Sequence, residues 1–355
     1  MYRSNLRLVF GVVIAFIITV FVVSVAQAAK PDCAKDPSHP SCKDDGGSGG
    51  GEPSNPDPAF VMVAVHSKAV LNELLVANAD GSNQSALLSS ETEWYFWPAW
   101  SPDLNLNIEG FQGSIVFETR IRTPEAQFVD LHIIDVDVAV SGVSGSDLRM
   151  FTNDAFHAAW SSQDMIAYVG NHDTPDGIFI GTAKVRVIPN PSGSFAHVDW
   201  PAWNPEGTHL AYASYYQDDE EKWNWSIRIQ EVVNLEGEIL NKPSDVVLQG
   251  LDETDGRLSG GIQWSPDGNF LAYRLNSAIE VLDLATNMRR PFADTTWALS
   301  PTWSPSGNKL AYMSRNGSAG AGKRKIVLYD LDTDAESVII ERKGFHLFEP
   351  DWRRF

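Results

Sequence analysis

One short pattern recurs along this chain, and recurrence restricts the fold more tightly than any single motif could. Its clearest copy is GIQWSPDGNFLAYR, Gly261 to Arg274. Related pieces read WPAWSPD from Trp97, HAAWSSQDMIAYV from His157, WPAWNPEGTHLAYAS from Trp200, SPTWSPSGNKLAYMS from Ser300 and EPDWRRF from Glu349. Taken alone, each copy is a hairpin, with one strand ending at the tryptophan, a turn, and an apolar return strand. Ser265 suits the first turn position, Pro266 presets the negative φ of the second, Asp267 can bond nearby backbone, and Gly268 accepts positive φ at little steric cost. Asn204 to Gly207 and Ser304 to Gly307 fit the same device. At Trp160 the turn has decayed to Ser161-Ser162-Gln163-Asp164, and after Trp100 it is stretched by the insert LNLNIEGFQG.

The repeat tryptophans are Trp100, Trp160, Trp203, Trp264, Trp303 and Trp352, spaced 39 to 61 residues apart. That is too long for a hairpin and suits about four strands per unit, as in propeller blades. A third strand follows the return strand, as in AIEVLDLATN from Ala278 and KIVLYDLDTD from Lys325, and a fourth can be placed at ESVII from Glu336. Trp352 lacks a return strand after it, whereas FVMVAV, Phe60 to Val65, is a return strand with no tryptophan strand before it. Joined, the two ends make one repeat of ordinary length. The expectation is an all-β fold over residues 59–355, a six-bladed β-propeller whose ring closes by pairing the C-terminal strand with the N-terminal ones. Closure also hides strand edges that would otherwise template aggregation.

The pattern Pro-x-Trp-Ser-Pro-Asp-Gly, then Leu-Ala-Tyr, then a strand and turn like LYDLDT, resembles the TolB-type, WD40-like propeller repeat of bacterial envelope proteins. The resemblance covers roughly residues 60 to 355 and implies a fold more than an activity, because propellers host binding proteins, scaffolds and enzymes alike. TolB itself carries a separate α/β domain before its propeller, which is not expected here, and the resemblance therefore implies nothing about a role in the Tol system.

Residues 1–28 carry Arg3 and Arg7, an apolar run from Leu8 to Val25, and Ala26-Gln27-Ala28. These are the parts of a secretory signal peptide cut between Ala28 and Ala29; the rival reading is a retained anchor in the inner membrane. Either reading exports the propeller to the periplasm or beyond. Residues 29–58 form a tail and a Gly/Ser/Pro linker holding both cysteines, Cys33 and Cys42. In an oxidising compartment these would close a small disulfide loop, since metal ligation wants more than the nearby His39 supplies.

Removing residues 1–28 takes away two arginines and no acids, so the net charge moves from −19 to −21. Such a surface repels phosphate backbones, and nucleic acid is not expected as a partner. An envelope protein or a small polar ligand is. A membrane enters only if the N-terminal segment stays as an anchor.

Label the blade strands A to D from the axis outward. The tryptophan strand is A and Leu-Ala-Tyr lies on B, so the B–C and D–A loops share one face. That face carries the variable material: RIRTPEAQ from Arg120, NHDTPD from Asn171, YQDDEEKWNW from Tyr216 and RNGSAGAGKRK from Arg315. Binding residues concentrate in such loops. Three residues before the repeat tryptophans stand Trp97, His157, Trp200, Gly261, Ser300 and Glu349; six before stand Trp94, Asp154, His197, Leu258, Trp297 and His346. Equivalent positions in a ring share a radius, so the polar and aromatic members are expected at one channel mouth, Trp94, Trp97, Asp154, His157, His197, Trp200, Trp297, His346 and Glu349 being the ligand-binding candidates. Aromatics there can equally serve only as packing beneath the loops. No catalytic residue is assigned and no cofactor is required. The alternative is a divalent metal held by His157, His197 and His346, which resembles propeller enzymes acting on pectin fragments and implies a lyase or hydrolase of acidic saccharides. Asp330-x-Asp332-x-Asp334 with Glu341 mimics a calcium loop but has Ala335 where that loop needs Gly, and reads as a hairpin turn. The acidic run Asp218 to Glu221 reads as a solvated loop. No Gly-x-Ser-x-Gly elbow or phosphate loop is present.

Because the Cys33–Cys42 loop lies outside the repeats, reducing it should leave the thermal midpoint of the exported protein unchanged. Non-reducing peptide mapping followed by calorimetry checks this, and a large fall on reduction would mean that the tail docks on the propeller.

Overall fold

In the computed structural model the described residues are 59–353, apart from 67–68, 103–110, 122–128, 140–141, 171–175, 193–194, 260, 293–297 and 316–323. The signal segment, the linker, Cys33, Cys42, Trp297 and most of three B–C loops therefore lie outside the described residues. The chain forms six antiparallel four-stranded sheets arranged as a six-bladed β-propeller. Blade 1 comprises Glu93–Trp100, Phe111–Ile121, Val129–Ala139 and Gly142–Thr152; blade 2, Ala155–Trp160, Ile166–Gly170, Gly177–Ile180 and Val185–Pro189. Blade 3 comprises His197–Trp203, His209–Gln217, Trp223–Glu231 and Asp245–Leu251; blade 4, Gln263–Trp264, Phe270–Leu275, Ala278–Asp283 and Arg289–Pro291. Blade 5 comprises Leu299–Trp303, Lys309–Arg315, Arg324–Asp330 and Ala335–Ile340. The closing blade joins Phe345–Trp352 to Phe60–His66, Asn72–Ala77 and Ser85–Ser90, with Phe60 opposite Trp352 and Val65 opposite His346. The two chain ends thus share one sheet.

The turn motif works through a side chain as well as its backbone. In four blades the residue after the repeat tryptophan accepts an N–H at the start of the return strand: Ser161 from Met165, Asn204 from His209, Ser265 from Phe270 and Ser304 from Lys309. Ser101 does the same for Ser114 on the far side of the insert, at 2.9 Å, so the extra residues leave the hairpin base intact. Gly268 lies against Pro205 and Gly307 against Pro266, stacking each turn on that of the preceding blade. The Asp330 side chain accepts the N–H groups of Asp332 and Thr333, which makes that acidic stretch a C–D hairpin turn.

The core is interblade. Trp203, Trp264 and Trp303 are buried and lay their indoles against the preceding blade, donating Nε1–H to the carbonyls of Ala159, Ala202 and Gln263. Those carbonyls occupy one repeat position, immediately before the neighbouring repeat tryptophan. Large apolar area is buried and the one polar atom of each indole is satisfied, the condition under which a buried tryptophan stabilises a core. Trp160 departs from this pattern and bonds Asp164 within its own turn.

At the closing blade a carboxylate adds to the seam. Asp351 accepts the backbone N–H of Trp100 at 2.9 Å and the hydroxyl of Thr302, and Thr302 in turn accepts the N–H of Trp352 at 3.0 Å. Blades 5 and 1 are thereby tied through the last strand of the chain. Deleting Glu349 to Phe355 removes Trp352 and both carboxylates of this strand, and should lower the thermal midpoint by about 10 °C or more. Asp351→Ala alone should cost about 2 kcal/mol. Calorimetry of both variants checks the seam, and a truncated protein that keeps its midpoint would contradict closure by this strand.

Candidate functional site

The six residues standing three before the repeat tryptophans share a conformation that their identities do not suggest. Trp97, His157, Trp200, Gly261, Ser300 and Glu349 all have positive φ, between 47° and 70°. Five of the six are not glycine, and each non-glycine residue in this region costs on the order of 1 kcal/mol. The strand register slips at the same place, between Phe96 and Ala99, Phe156 and Ala159, Asp199 and Ala202, and Leu299 and Thr302. In the closing blade Val61 pairs with Asp351 and Val63 with Phe348, so Glu349 and Pro350 are the bulged pair. Strand A therefore carries a mid-strand bulge in five blades, and in blade 4 the equivalent Gly261 stands just before the short strand Gln263–Trp264. A left-handed bulge re-aims its side chain and takes its N–H out of the ladder. Proline follows at 98, 201, 301 and 350, where the ladder asks for no donor.

Three of these N–H groups are met by carboxylates. Glu349 accepts that of Trp97 at 2.6 Å, Glu118 that of His157 at 2.7 Å, and Asp199 that of Trp200 at 2.8 Å. Asp199 also faces His157 Nδ1 at 2.5 Å. The His157 ring stacks on Trp200 at 3.6 Å, and Trp97 closes edge-on over both, 4.6 Å from Trp200 and 5.3 Å from His157. All of these but Glu118 and Asp199 line a narrow axial cavity of about 100 Å³, which continues along strand A past Trp100, Trp203 and Trp352.

Burial sets the electrostatics. It raises Glu349 to about 8, with the nearby Glu118 charge adding to the effect and the Trp97 N–H opposing it. Burial likewise raises Glu118, against the pull of His157. For His157 burial disfavours the charged ring, but Asp199, by charge and hydrogen bond, together with Glu118 and Glu349, outweighs it and raises the pKa. At neutral pH Glu349 is protonated, and Asp199 favours the charged form of the His157 ring.

The structure brings four of the expected residues together, Trp97, His157, Trp200 and Glu349. They sit in mid-strand, where the bulge adds a residue to each of their strands. The residues six before the tryptophans have separate surroundings. Trp94 stacks on Phe96, and Asp154 occupies a turn, where its N–H reaches Asp130. His197 stacks on Tyr215 and bonds the Phe195 carbonyl, while His346 Nδ1 accepts the Arg324 N–H. Among the described residues no three His, Cys, Asp or Glu side chains are grouped to hold a metal ion.

Sequence reasoning missed Glu118 and Asp199. A signal for Glu118 exists in the repeat. The position after Leu-Ala-Tyr reads Val63, Glu118, Val169, Ala213, Arg274 and Met313, four buried apolar residues and two charges. Arg274, the other exception, faces a second concavity on the B–C and D–A face. This cleft lies between blades 3 and 4 and is bordered by His197, Tyr215 and Trp223 on one side and by Arg257, Arg274 and Asn276 on the other. Trp200 borders both cavities.

No family model matches the chain, and no curated protein matches it in sequence. Solved structures match it in shape. A TolB from Agrobacterium tumefaciens is 13% identical, over 80% of this chain and 89% of that one, with a TM-score of 0.48. A puromycin hydrolase is 13% identical over 81% of this chain and 53% of its own, with a TM-score of 0.49. A hydrazine synthase from Kuenenia stuttgartiensis is 10% identical over 83% of this chain and 46% of its own, with a TM-score of 0.53. This chain spans about half the length of the last two. At such identity the likeness is one of fold, and at that level the chain is a six-bladed β-propeller.

Proposed function

We propose that the protein is an exported component of a bacterial envelope that acts as a non-catalytic scaffold, binding a protein or small polar ligand through its B–C and D–A loop face. Export rests on the N-terminal apolar run and its small-residue cleavage site, and the tail of residues 29–58 serves as a tether or spacer. The observation that carries the binding reading is how the polar groups are used. In the channel, Glu118, Asp199 and Glu349 each accept a backbone N–H that the bulge has freed, and Trp200 covers the one imidazole. These groups hold the ring together. On the loop face, the cleft between blades 3 and 4 presents Arg257, Arg274 and Trp223, side chains that accept no bulge N–H.

The alternative, a metal-dependent lyase or hydrolase acting on acidic saccharides, needs His157, His197 and His346 to work at one mouth. Each of the three rings has its own partners, and the first is held by Asp199 beneath two indoles. The scaffold reading is therefore favoured. Its test is affinity capture of tagged protein from its native envelope after mild cross-linking. A recurrent envelope partner should be lost when the blade 3 B–C turn, Asp218 to Lys222, is replaced by a two-residue turn, and kept when the A–B turn at Ser304 to Gly307 is altered on the opposite face. Retention of the partner in the first variant would place binding elsewhere. Stoichiometric divalent metal in the purified protein, lost in His157→Ala or His197→Ala, would replace the scaffold with the enzyme.

A further inference from the structure

The cleft between blades 3 and 4 is built around two guanidinium groups that form no ion pair among the described residues. Its blade 4 wall is a short ladder outside the regular strands. Leu258 pairs with Leu275, Asn276 N–H bonds the Arg257 carbonyl at 2.8 Å, and Ser259 N–H bonds the Arg274 carbonyl at 3.1 Å. The Asn276 side chain accepts the Arg257 N–H at 2.9 Å and fixes the bend. In such a pair, alternate residues share a face. Leu258 and Leu275 turn inward and are buried, so Arg257, Ser259, Arg274 and Asn276 turn to the cleft.

The facing wall is aromatic. His197 stacks on Tyr215 with ring centres 4.7 Å apart, Trp223 stands edge-on to His197 at 6.1 Å, and the Tyr215 hydroxyl bonds the Leu258 carbonyl, joining the two walls at their base. Trp225 pins the approach to Arg257 through a 2.8 Å bond to the Gly256 carbonyl. Both walls are thus set by backbone and core contacts.

Charge is unbalanced here. Arg274 Nε is buried with no hydrogen-bond partner among the described residues, and neither Arg274 nor Arg257 forms an ion pair there. Burial, with the Arg257 charge beside it, lowers the Arg274 pKa, the response of a cation that lacks an anion. Two acids also border the cleft. Asp199 is engaged by His157 and the Trp200 N–H, which leaves Asp252 against two arginines and a net charge of about one positive unit. In a chain of formal net charge −19, such a pocket selects a monoanion.

We propose that this cleft binds a small carboxylate carried on a ring, with the carboxylate held by Arg274 and Arg257 and the ring laid against His197, Tyr215 and Trp223. A guanidinium fork matches a carboxylate in two parallel bonds, and flat rings offer contact area at low entropic cost. The inference rests on the loop-face binding reading above and names the class of ligand for it.

Isothermal titration of the purified mature protein separates charge from ring, with benzoate as the ring carboxylate, benzamide as the uncharged ring and acetate as the carboxylate without a ring. Benzoate should bind saturably at one site, with benzamide and acetate about tenfold weaker or more. Arg274→Met and Arg257→Met should each weaken benzoate by about tenfold, and the exposed Arg257 makes its variant safe for folding. Benzoate that does not bind saturably, that binds no better than benzamide, or that binds Arg257→Met as well as the parent would overturn the proposal. If benzoate fails while the cross-linked partner is still lost on exchange of the Asp218 to Lys222 turn, this inference falls and the scaffold stands. Saturable benzoate binding without such a partner would support the cleft and remove the protein scaffold.

Discussion

The left-handed bulge in strand A, and the carboxylate that accepts its N–H, is the constraint on which the rest of the molecule depends. A propeller's innermost strands converge on an axis, and a regular strand there would alternate its side chains without regard to the channel. The left-handed residue three before each repeat tryptophan is turned to the axial cavity, with a strand bulge there in five of the six blades. Its cost in backbone strain is offset where a buried acceptor meets the freed donor, as Glu349 does for Trp97 across 252 residues of chain. With the bulge placed, three of the repeat tryptophans, Trp203, Trp264 and Trp303, fall against the preceding blade, and their indoles find the equivalent carbonyl.

Much of this was legible because the turn is local. Trp-Ser-Pro-Asp-Gly encodes its geometry within five residues, so the repeats, their number and the closing of the ring follow from reading them in register. Register also named Trp97, His157, Trp200 and Glu349 as one set. The sign of φ was not legible, since nothing in a Trp-Pro or Glu-Pro pair announces a bulge. Glu118 and Asp199 were missed because their partners are about one repeat away in sequence, 39 and 42 residues, and become neighbours only across blades. Of the residues six before the tryptophans, Trp94, His197 and His346 do lie on A strands at equivalent register, but each ring meets a neighbour of its own, Phe96, Tyr215 and Arg324, that the repeat does not encode. His197 faces the interblade cleft.

Two concavities with different uses result. The channel concentrates carboxylates, one imidazole and two indoles, yet those groups are engaged with backbone and with one another. The cleft has the opposite character, with rigid walls and cationic groups whose hydrogen-bonding capacity is left over. Such a division suits a scaffold, whose ring must remain fixed while its loop face meets a partner. It also explains why a strongly perturbed carboxyl need not mark a catalytic acid: burial at a structural seam perturbs a pKa by the same physics.

The most direct test is the pH dependence of unfolding for the parent and for Glu349→Gln. Glu349 binds its proton up to about 8 in the folded ring but only to the ordinary carboxylate range when unfolded, so the folded form holds more protons between these limits. Stability from this group therefore falls as pH rises from about 4.5 to about 8, and the raised Glu118 and His157 act in the same direction. Glutamine keeps a carbonyl to accept the Trp97 N–H and removes the titration. The account predicts a thermal midpoint that declines across this window in the parent and declines distinctly less in Glu349→Gln, with the two curves closest at acid pH. Parallel curves would contradict a buried carboxyl bracing the bulge at the ring's closing seam.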